Sequence, residues 1–302
     1  MERIIIDADP GTDDAFAIVL AAKSKDIQIE GITTVNGNCS LANATNNALN
    51  LIDMLDINVN VYEGSNQSLT LNRNDATDVH GNNGMGGVSL PNLMGRVNQD
   101  RSAIDFLIET VNNNPKQITV VAIGPLTNIA LAIQKDSNFA KNIKSLVVMG
   151  GGKEAGNITQ WAEFNFYIDG KAASIVLNSG IEDIVIIPLN VTEKNILTQQ
   201  KENQLLSIDN KIAKFLYDIT RASAKFDMEK GFEGACMHDP VTIAYLIDKE
   251  IVKLYDFHMD VITEGEMEGK CIFDDSKESN CRVALDIDSE KFFDMFFETV
   301  FK

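Results

Sequence analysis

Four aspartates lie close together near the start of the chain, two on each side of a proline and a glycine: Asp7, Asp9, Asp13 and Asp14. Side chains alternate along a strand, so Asp7 and Asp9 share one side of a strand end, and the turn returns the later pair beside them. Carboxylates so crowded cannot all stay ionised unaided, so we expect a raised pKa or a bound cation. An all-oxygen site suits a hard divalent cation, and Ca²⁺ tolerates the irregular coordination of a turn better than Mg²⁺.

The same acidic residues have a second, structural explanation. Thr12 stands where a helix begins, so its side chain could cap that helix while Asp13 and Asp14 complement the positive end of the helix dipole. Acidic residues are common in a first helical turn. The segment alone therefore leaves both a metal site and a helix cap open.

The apolar pattern predicts the elements that must position these residues. Short buried strands are predicted at Arg3–Asp9, Ile27–Val35, Ile118–Ile123, Leu146–Met149 and Ile184–Pro188. Amphipathic helices between them are predicted at Asp14–Ala22, Leu41–Leu55, Ala103–Val111, Leu126–Gln134 and Ala172–Leu177. This alternation predicts an α/β fold, in which an open, mostly parallel sheet is flanked by helices and forms a Rossmann-like core.

The alternation of predicted strands and helices becomes less regular after Leu189. A helix-rich stretch runs through Tyr245, strands are predicted at Phe257–Thr263 and Cys281–Asp286, and a last helix begins at Ser289. We therefore expect helical additions in the C-terminal part. No linker stands out, so residues 1–302 are predicted to form a single domain.

Two segments are predicted to be long loops. One is Gly64–Gly95, which is rich in Asn and Gly, and the other is Phe226–Cys236, which contains two glycines. Loops of this size in a compact domain are often binding elements or lids.

Polar and glycine-rich segments follow several of the predicted strands. Asn36 and Asn38 follow the second strand, Gly124–Asn128 follows the third and Met149–Gly152 begins where the fourth ends. Ligands of open parallel sheets bind beyond the carboxyl ends of the strands. The strand ends are therefore the expected position of a binding site.

Charge and composition exclude several classes of partner. The formal net charge of −18 disfavours binding to nucleic-acid phosphates or anionic lipid, and favours a small neutral ligand or a cation. No apolar stretch is long enough to cross a bilayer and no signal-peptide pattern is present, so we expect a cytoplasmic protein without membrane contact.

The cysteines suggest no disulfide framework and no zinc site. The four residues are scattered without CxxC spacing: Cys39, Cys236, Cys271 and Cys281. We interpret them as small, mostly buried apolar side chains.

The segment Asp7–Ala15 resembles the signature of the inosine-uridine-preferring nucleoside hydrolases, in which Asp-x-Asp-x-Gly-x-Asp-Asp-Ala follows the first strand. The resemblance continues in order along most of the chain, through Thr33–Asn38, Val79–Gly81, Gly124–Asn128, Met149–Gly152, Asn157, Glu163–Phe166 and His238–Pro240. After Pro240 it offers no further catalytic match. It implies hydrolysis of the N-glycosidic bond between ribose and a nucleobase.

The resemblance also implies the roles of the acidic residues. Asp9 would be the general base for a water activated by Ca²⁺, and it is counted with the metal site. The ligands of the ion would be Asp13, Asp14, Asp239 and the backbone carbonyl of Thr127, with the ribose 2′- and 3′-hydroxyls completing the shell. Asp7 would have a secondary role in orienting its neighbours.

Four polar residues are the expected contacts of the sugar: Asn38, Asn157, Glu163 and Asn165. Hydroxyl groups need both donors and acceptors, and a carboxylate can accept from two hydroxyls. Asn157 could instead be a simple turn residue. Asn36 supports these contacts or merely forms a turn before Gly37.

The leaving base would meet the remaining residues. His238 is the candidate acid that protonates the departing base, because a near-neutral pKa suits proton delivery. His80 would hydrogen-bond the base, Met149 and Phe164 would contact the substrate, and Phe226 could stack on the base but has no hydroxyl to donate. His258, in a strand pattern, is interpreted as structural.

The substrate preference is not decided by the sequence, and the oligomeric state and the metabolic role are inferred only from the resemblance. The sequence does not decide between purine and pyrimidine bases, nor whether 2′-deoxy substrates are tolerated. The resemblance to the family implies a homodimer or homotetramer that takes part in nucleoside salvage.

Two other functions compete with this one. An Asp-dependent Mg²⁺ phosphatase also places Asp-x-Asp after a first strand, but it needs a later Gly-Asp-x-x-x-Asp segment, which Phe273–Asp275 does not provide. A non-catalytic sensor of nucleosides or sugars would have lost a base or a metal ligand. Asp9, Asp13, Asp14 and Asp239 are all present.

Overall fold

The computed structural model describes residues 1–70, 77–154 and 156–302. In these ranges the strands are β1 (Glu2–Ala8), β2 (Ile27–Thr34), β3 (Val61–Glu63), β4 (Ile118–Ala122), β5 (Ser145–Met149), β6 (Ile184–Ile187), β7 (Ile196–Thr198), β8 (Gly234–Cys236), β9 (Val252–Phe257), β10 (Met259–Val261), β11 (Cys271–Phe273) and β12 (Cys281–Ile287).

The helices surround these strands. They are α1 (Thr12–Lys23), α2 (Leu41–Leu55), α3 (Thr77–His80), α4 (Ala103–Asn113), α5 (Thr127–Lys135), α6 (Ser137–Asn142), α7 (Phe164–Ile168), α8 (Gly170–Leu177), α9 (Leu189–Thr192), α10 (Gln199–Ser207), α11 (Lys211–Glu229), α12 (Pro240–Ile247) and α13 (Ser289–Phe301). Short 3₁₀ helices lie at Met94–Arg96 and Lys249–Ile251. Within the described ranges, no helix combines the length and the apolar character needed to cross a membrane.

Eight strands form one sheet in the order β3-β2-β1-β4-β5-β6-β12-β9. All neighbouring pairs are parallel except β12 and β9, which are antiparallel. The predicted α/β fold with an open, mostly parallel sheet is therefore confirmed. The chain winds outward from β1 to β3 and returns to β4 beside β1, so the carboxyl ends of β1 and β4 flank a topological switch point, where such sheets bind ligands.

Two apolar layers cover the faces of the sheet. Ile4 and Ile6 of β1 face one layer, while Ile5 faces the other, as strand alternation requires. Helix α1 lies inside the first layer and is buried from Thr12 to Ala21. The first turn of this helix carries Asp13 and Asp14, so its burial also removes their carboxylates from solvent.

The prediction of a long loop at Phe226–Cys236 is wrong. Helix α11 continues through Phe226 to Glu229, and β8 then pairs with β7 in a small antiparallel sheet. Gly231, at φ +98°, lies just beyond the helix end, a position that favours glycine. Gly234 lies inside β8, where an added Cβ would come within 2.2 Å of the carbonyl oxygen of Leu197. The glycines therefore mark a helix end and a close strand pairing.

The other boundary differences are smaller. The predicted strand at Phe257–Thr263 divides, because β9 belongs to the large sheet whereas β10 pairs with β11 in a separate hairpin. Strands β3, β7 and β11 are only three residues long and were not predicted. The predicted loop Gly64–Gly95 holds α3 and the 3₁₀ helix at Met94–Arg96, with residues 71–76 outside the described part.

Candidate active site

Three carboxylates from two distant parts of the chain meet beside the switch point. Asp13 and Asp14 lie in the first turn of α1, and Asp239 directly precedes α12. One oxygen of each lies within 4.8 Å of the other two, and all three residues are buried. Helices α1 and α12 pack together, which explains how residues 226 positions apart come into contact.

The capping explanation of this segment is only partly right. The Oδ2 atom of Asp14 accepts from the backbone N–H of Gly11 at 2.9 Å, as an acid at this helical position can. The hydroxyl of Thr12 lies 3.1 Å from Nδ1 of His80 and makes no cap to its own helix. Capping therefore accounts for one oxygen of Asp14 and leaves Asp13 and Asp239 without a capping role.

Asp9 lies beside this cluster and is held on one oxygen only. Its Oδ2 accepts from the backbone N–H of Asn38 at 2.6 Å, whereas its buried Oδ1 has no partner in the described structure. Two glycines make room for the carboxylate, because a Cβ on Gly37 would lie 2.0 Å from Oδ2 and a Cβ on Gly124 would lie 2.6 Å from Oδ1. Burial, followed by the charges of Asp14 and Asp13, holds the pKa of Asp9 well above its usual range.

The unpaired oxygens support the fit of a hard cation. Oδ1 of Asp14 is buried and, like Oδ1 of Asp9, lacks a partner among the described residues. Burial first and the charge of Asp13 second raise the pKa of Asp14 to about 7, and burial with the neighbouring aspartates raises the pKa of Asp239 strongly. A divalent cation would satisfy these oxygens and offset the repulsion between them. The residues present therefore fit such an ion.

Asp7 lies outside this cluster, as expected. Its Oδ1 accepts from Oγ1 of Thr33 at 2.5 Å and from Nδ2 of Asn128 at 2.8 Å. Burial raises the pKa of Asp7 to about 7. The carboxyl group therefore contacts Thr33 and Asn128, and its expected secondary role in orienting its neighbours stays a prediction.

Thr127 is the first residue of α5, at the carboxyl end of β4. It is buried, and its side-chain hydroxyl donates to Oδ2 of Asp169 at 2.7 Å. The proton of this hydroxyl is thus engaged by Asp169. The predicted use of the backbone carbonyl of Thr127 as a ligand stays a prediction.

Glu163 and Asn165 lie at the start of α7 with their side chains fixed by the backbone. Oε1 of Glu163 accepts from the N–H of Asn165 at 2.8 Å, and Oε2 accepts from the N–H groups of Gly151 and Phe166 at 2.9 and 3.1 Å. Nδ2 of Asn165 donates to the carbonyls of Ile123 at 3.1 Å and Met149 at 3.2 Å. Glu163 and the Oδ1 atom of Asn165 therefore remain as acceptors for a ligand.

Asn157 closes a neighbouring turn. Its Oδ1 accepts from the N–H of Phe164 at 3.0 Å, and its carbonyl accepts from Nζ of Lys230 at 3.1 Å. The lysine ammonium also lies 4.2 Å from the centre of the Phe226 ring. These contacts join the turn to the C-terminal end of α11.

The two site histidines have different partners. The N–H of Thr12 donates to Nδ1 of His80 at 3.2 Å, so that nitrogen must be an acceptor and the proton of the neutral ring lies on Nε2. Burial lowers the pKa of His80, which agrees with a neutral ring. Nδ1 of His238 lies 2.8 Å from Oγ1 of Thr192, a buried hydroxyl that fixes the ring orientation.

A cavity of about 740 Å³ opens over these groups. Most of the predicted site residues line it, namely Asp13, Asn38, His80, Met149, Asn157, Glu163, Phe164, Asn165, Phe226, His238 and Asp239. Asp9, Asp14 and Thr127 do not line it, because they lie behind this surface. His258 is remote, since its ring contacts the carbonyl of Glu278 and Asp260 in the hairpin region.

The structure adds wall residues that the sequence did not indicate. They include Thr12, Glu193, Ser223, Asp227, Lys230, Phe232 and Cys236. Oδ2 of Asp227 accepts from the N–H of Cys236 at 2.8 Å, and burial raises the pKa of Asp227. The helical spacing of Ser223, Phe226 and Asp227 on α11, with Lys230 directly after the helix, was the available signal, and the loop prediction concealed it.

Together, the switch-point cavity, the buried acidic cluster and the fixed polar acceptors define an α/β enzyme of the hydrolase class with residues that could hold a metal ion. The chain belongs to the family described as inosine-uridine preferring nucleoside hydrolase, whose model matches residues 4–294. Members of this family are N-glycosidases, and the activity of the chain is hydrolysis of the N-glycosidic bond of ribonucleosides.

Individual relatives agree on the reaction and differ in the base. A probable uridine nucleosidase 2 of Oryza sativa subsp. japonica is 38% identical over 90% of this chain and 82% of its own. A pyrimidine-specific ribonucleoside hydrolase of Escherichia coli O157:H7 is 33% identical over 99% of this chain and 96% of its own. The solved structure of a purine-preferring ribonucleoside hydrolase from Gardnerella vaginalis has a TM-score of 0.93 at 32% identity, covering 99% of this chain and 98% of its own.

Proposed function

We propose that the chain hydrolyses ribonucleosides with a Ca²⁺ ion held by Asp13, Asp14, Asp239 and the backbone carbonyl of Thr127, and with Asp9 as the general base. The observation that carries this proposal is the buried Oδ1 of Asp9, which has no partner among the described residues and lies beside three clustered carboxylates. When bound, such a cation supplies Lewis acidity, which lowers the pKa of water and attracts hydroxyl oxygens.

Asp9 accepts the proton of the attacking water at Oδ1. The water oxygen bonds to the anomeric carbon of ribose, and the electron pair of the breaking carbon–nitrogen bond passes to the base. The 2.6 Å hydrogen bond from Asn38 supports this role, because it fixes the carboxylate at Oδ2 and leaves Oδ1 free to take the proton.

The sugar is held by acceptors whose own positions are fixed. Both oxygens of Glu163 are oriented by backbone N–H groups, and Nδ2 of Asn165 is occupied by two carbonyls, so each presents oxygen to the hydroxyls of ribose. Asn38 and Asn157 add amide groups at the cavity wall. Fixed acceptors cost little ordering on binding.

The departing base meets two histidines and an apolar wall. His238 delivers a proton to the leaving nitrogen, and its orientation by Thr192 supports this assignment. His80 presents its Nε2–H as a donor to an acceptor atom of the base. Met149, Phe164 and Phe226 line the cavity and offer apolar contact to the ring.

Both competing functions lack structural support. Asp274, in the segment that a phosphatase would need, accepts from Ser276 in an exposed turn next to β11 and is absent from the acidic cluster. A sensor would not require Asp9 to keep a free, buried oxygen beside that cluster. The single domain over residues 1–302, the cytoplasmic location, the salvage role and the homodimer or homotetramer stay predictions.

A panel of nucleosides tests the proposal. Inosine, adenosine, uridine, cytidine and their 2′-deoxy forms are assayed for free base with and without a calcium chelator. We expect release from at least one ribonucleoside, loss of that release with chelator, recovery on adding Ca²⁺ and much slower release from the 2′-deoxy form. Full activity in chelator would contradict the role of the ion.

A further inference from the structure

Asp169 is a buried carboxylate that accepts four hydrogen bonds, between α7 and α8. Its Oδ1 accepts from the N–H of Ala172 at 3.1 Å, which caps α8. One such contact accounts for a helix cap. The other three donors come from elsewhere in the chain.

These three donors lie 42 to 100 residues away along the sequence. The Thr127 hydroxyl and the N–H of Leu69 both donate to Oδ2 at 2.7 Å, and the N–H of Thr70 donates to Oδ1 at 3.1 Å. Asp169 therefore joins the turn after β4 and the connection after β3 to the α7–α8 junction.

The turn after β4 is held from its other side as well. Asn128, the neighbour of Thr127, donates through Nδ2 to Oδ1 of Asp7 at 2.8 Å and to the carbonyl of Thr34 at 3.0 Å. Its Oδ1 accepts from the N–H of Ser65 at 2.9 Å. Two adjacent residues are thus each fixed by a buried aspartate, so the backbone at Thr127 has little freedom to move.

Asp169 also connects this turn to the proposed sugar contacts. Its backbone N–H donates to the carbonyl of Asn165 at 3.3 Å, and Nδ2 of Asn165 donates to the carbonyl of Ile123 at the end of β4. A closed series of contacts therefore runs from Asn165 through Asp169 to Thr127. Satisfied buried networks of this kind rigidify the groups they join.

We propose that Asp169 is a positioning residue, which holds the backbone of Thr127 in place relative to the Asp13, Asp14 and Asp239 cluster. This inference rests on the proposed function, because it assumes that the Thr127 carbonyl is a ligand of the cation. Asp169 does not line the cavity, so its proposed role is to position Thr127 and not to contact a ligand bound there. Its effect is on cation affinity, as for other residues that orient ligands from behind.

The test uses Asp169→Asn and Thr127→Val. Each variant alters the hydrogen bond between the side chains of Thr127 and Asp169, and each retains the backbone carbonyl of residue 127. Asp136→Asn is the matched control, because Asp136 also caps a helix and also accepts from a distant side chain, Asn112, at 2.8 Å. Calorimetric titration of the chelator-treated full chain with CaCl₂ gives the dissociation constant, and the thermal midpoint is recorded alongside. Asp13→Asn reports whether binding occurs at the acidic cluster.

We expect Asp169→Asn to weaken Ca²⁺ binding by about 10- to 100-fold, while Asp136→Asn changes only the thermal midpoint. The double variant Asp169→Asn/Thr127→Val should bind no more weakly than the weaker single variant, because both act on one contact. Unchanged affinity in Asp169→Asn, with binding lost in Asp13→Asn, overturns the positioning role alone. Binding that is absent in the wild type, or unaffected by Asp13→Asn, overturns the metal assignment and the positioning role together.

Discussion

The backbone N–H of Asn38 donates to Oδ2 of Asp9 at 2.6 Å, and this contact holds a carboxylate whose other oxygen has no partner among the described residues. Asn38 also donates through its side-chain Nδ2 to Oδ2 of Asp14 at 3.0 Å. Asn38, in the segment that follows β2, therefore fixes both Asp9, the proposed base, and Asp14, a proposed metal ligand. Asn38 thus sets the relative position of these two carboxylates.

Gly37→Ala should displace Asp9 without altering its chemistry. The added Cβ would lie 2.0 Å from Oδ2 of Asp9, so the carboxylate must move. A misplacement of about 1 Å at a reacting group costs on the order of 10²-fold in turnover, and we expect kcat to fall by that order. Gly95→Ala is the control, because no described atom lies within 4 Å of a Cβ there. Equal kcat values for the two variants would show that the space beside Asp9 is unimportant.

The contribution of Asp14 to the stability of the metal-free protein should fall as the pH rises. Burial and the charge of Asp13 raise the pKa of Asp14 to about 7 in the folded state, whereas the unfolded chain keeps the ordinary value of 3.8. Folding favours the protonated carboxyl group. The contribution of Asp14 to the free energy of unfolding is therefore fully present below pH 3.8 and is lost as the pH rises through about 7.

Urea unfolding in the presence of chelator measures this dependence. The free energy of unfolding of Asp14→Asn, minus that of the wild type, should grow between about pH 4 and pH 7, and added Ca²⁺ should stabilise the wild type more than the variant. A difference that stays constant across this range, or shrinks, would contradict the raised pKa of Asp14.

His238→Ala should slow the release of poor leaving groups most. Its proposed role is to protonate the base, so natural nucleosides should lose about 10²- to 10⁴-fold in kcat, and a nitrophenyl riboside should lose far less. Thr192→Val removes only the hydroxyl that orients the ring and should give a smaller loss with the same selectivity. Equal losses for both kinds of substrate would remove His238 from the acid role.

The sequence predicted most of the sheet and the edge of the sheet at which the site lies for the same physical reason. Buried parallel strands are continuous apolar runs, and the polar residues that interrupt them at their carboxyl ends, such as Asp9, Asn38 and Thr127, are where ligands bind. The part it did not predict depends on contacts across the chain. Glu193 carries no local pattern of function, and Asp169 has the pattern of an ordinary helix cap until Thr127 and Leu69 are seen to donate to it.

The sequence did not predict the shortest strands, for a related reason. Within the described part of the chain, strands β7 and β8 pair only with each other, and each has three residues, so neither provides a period long enough to recognise. Their pairing brings Cys236 to the cavity wall and places the following residue, Met237, in contact with Asn195. His238 and Asp239 were found through their resemblance to the family and not through local pattern.

The most direct test of the account is the turnover of Asp9→Asn at saturating Ca²⁺. The amide keeps the size of the side chain and an oxygen that can accept from Asn38, but it cannot take a proton from water. We expect kcat for the best ribonucleoside to fall by roughly 10²- to 10⁴-fold, as for loss of a general base, with the fold unchanged and Ca²⁺ still bound. Near-normal turnover in the purified, Ca²⁺-loaded variant would contradict the assignment of Asp9 as the base.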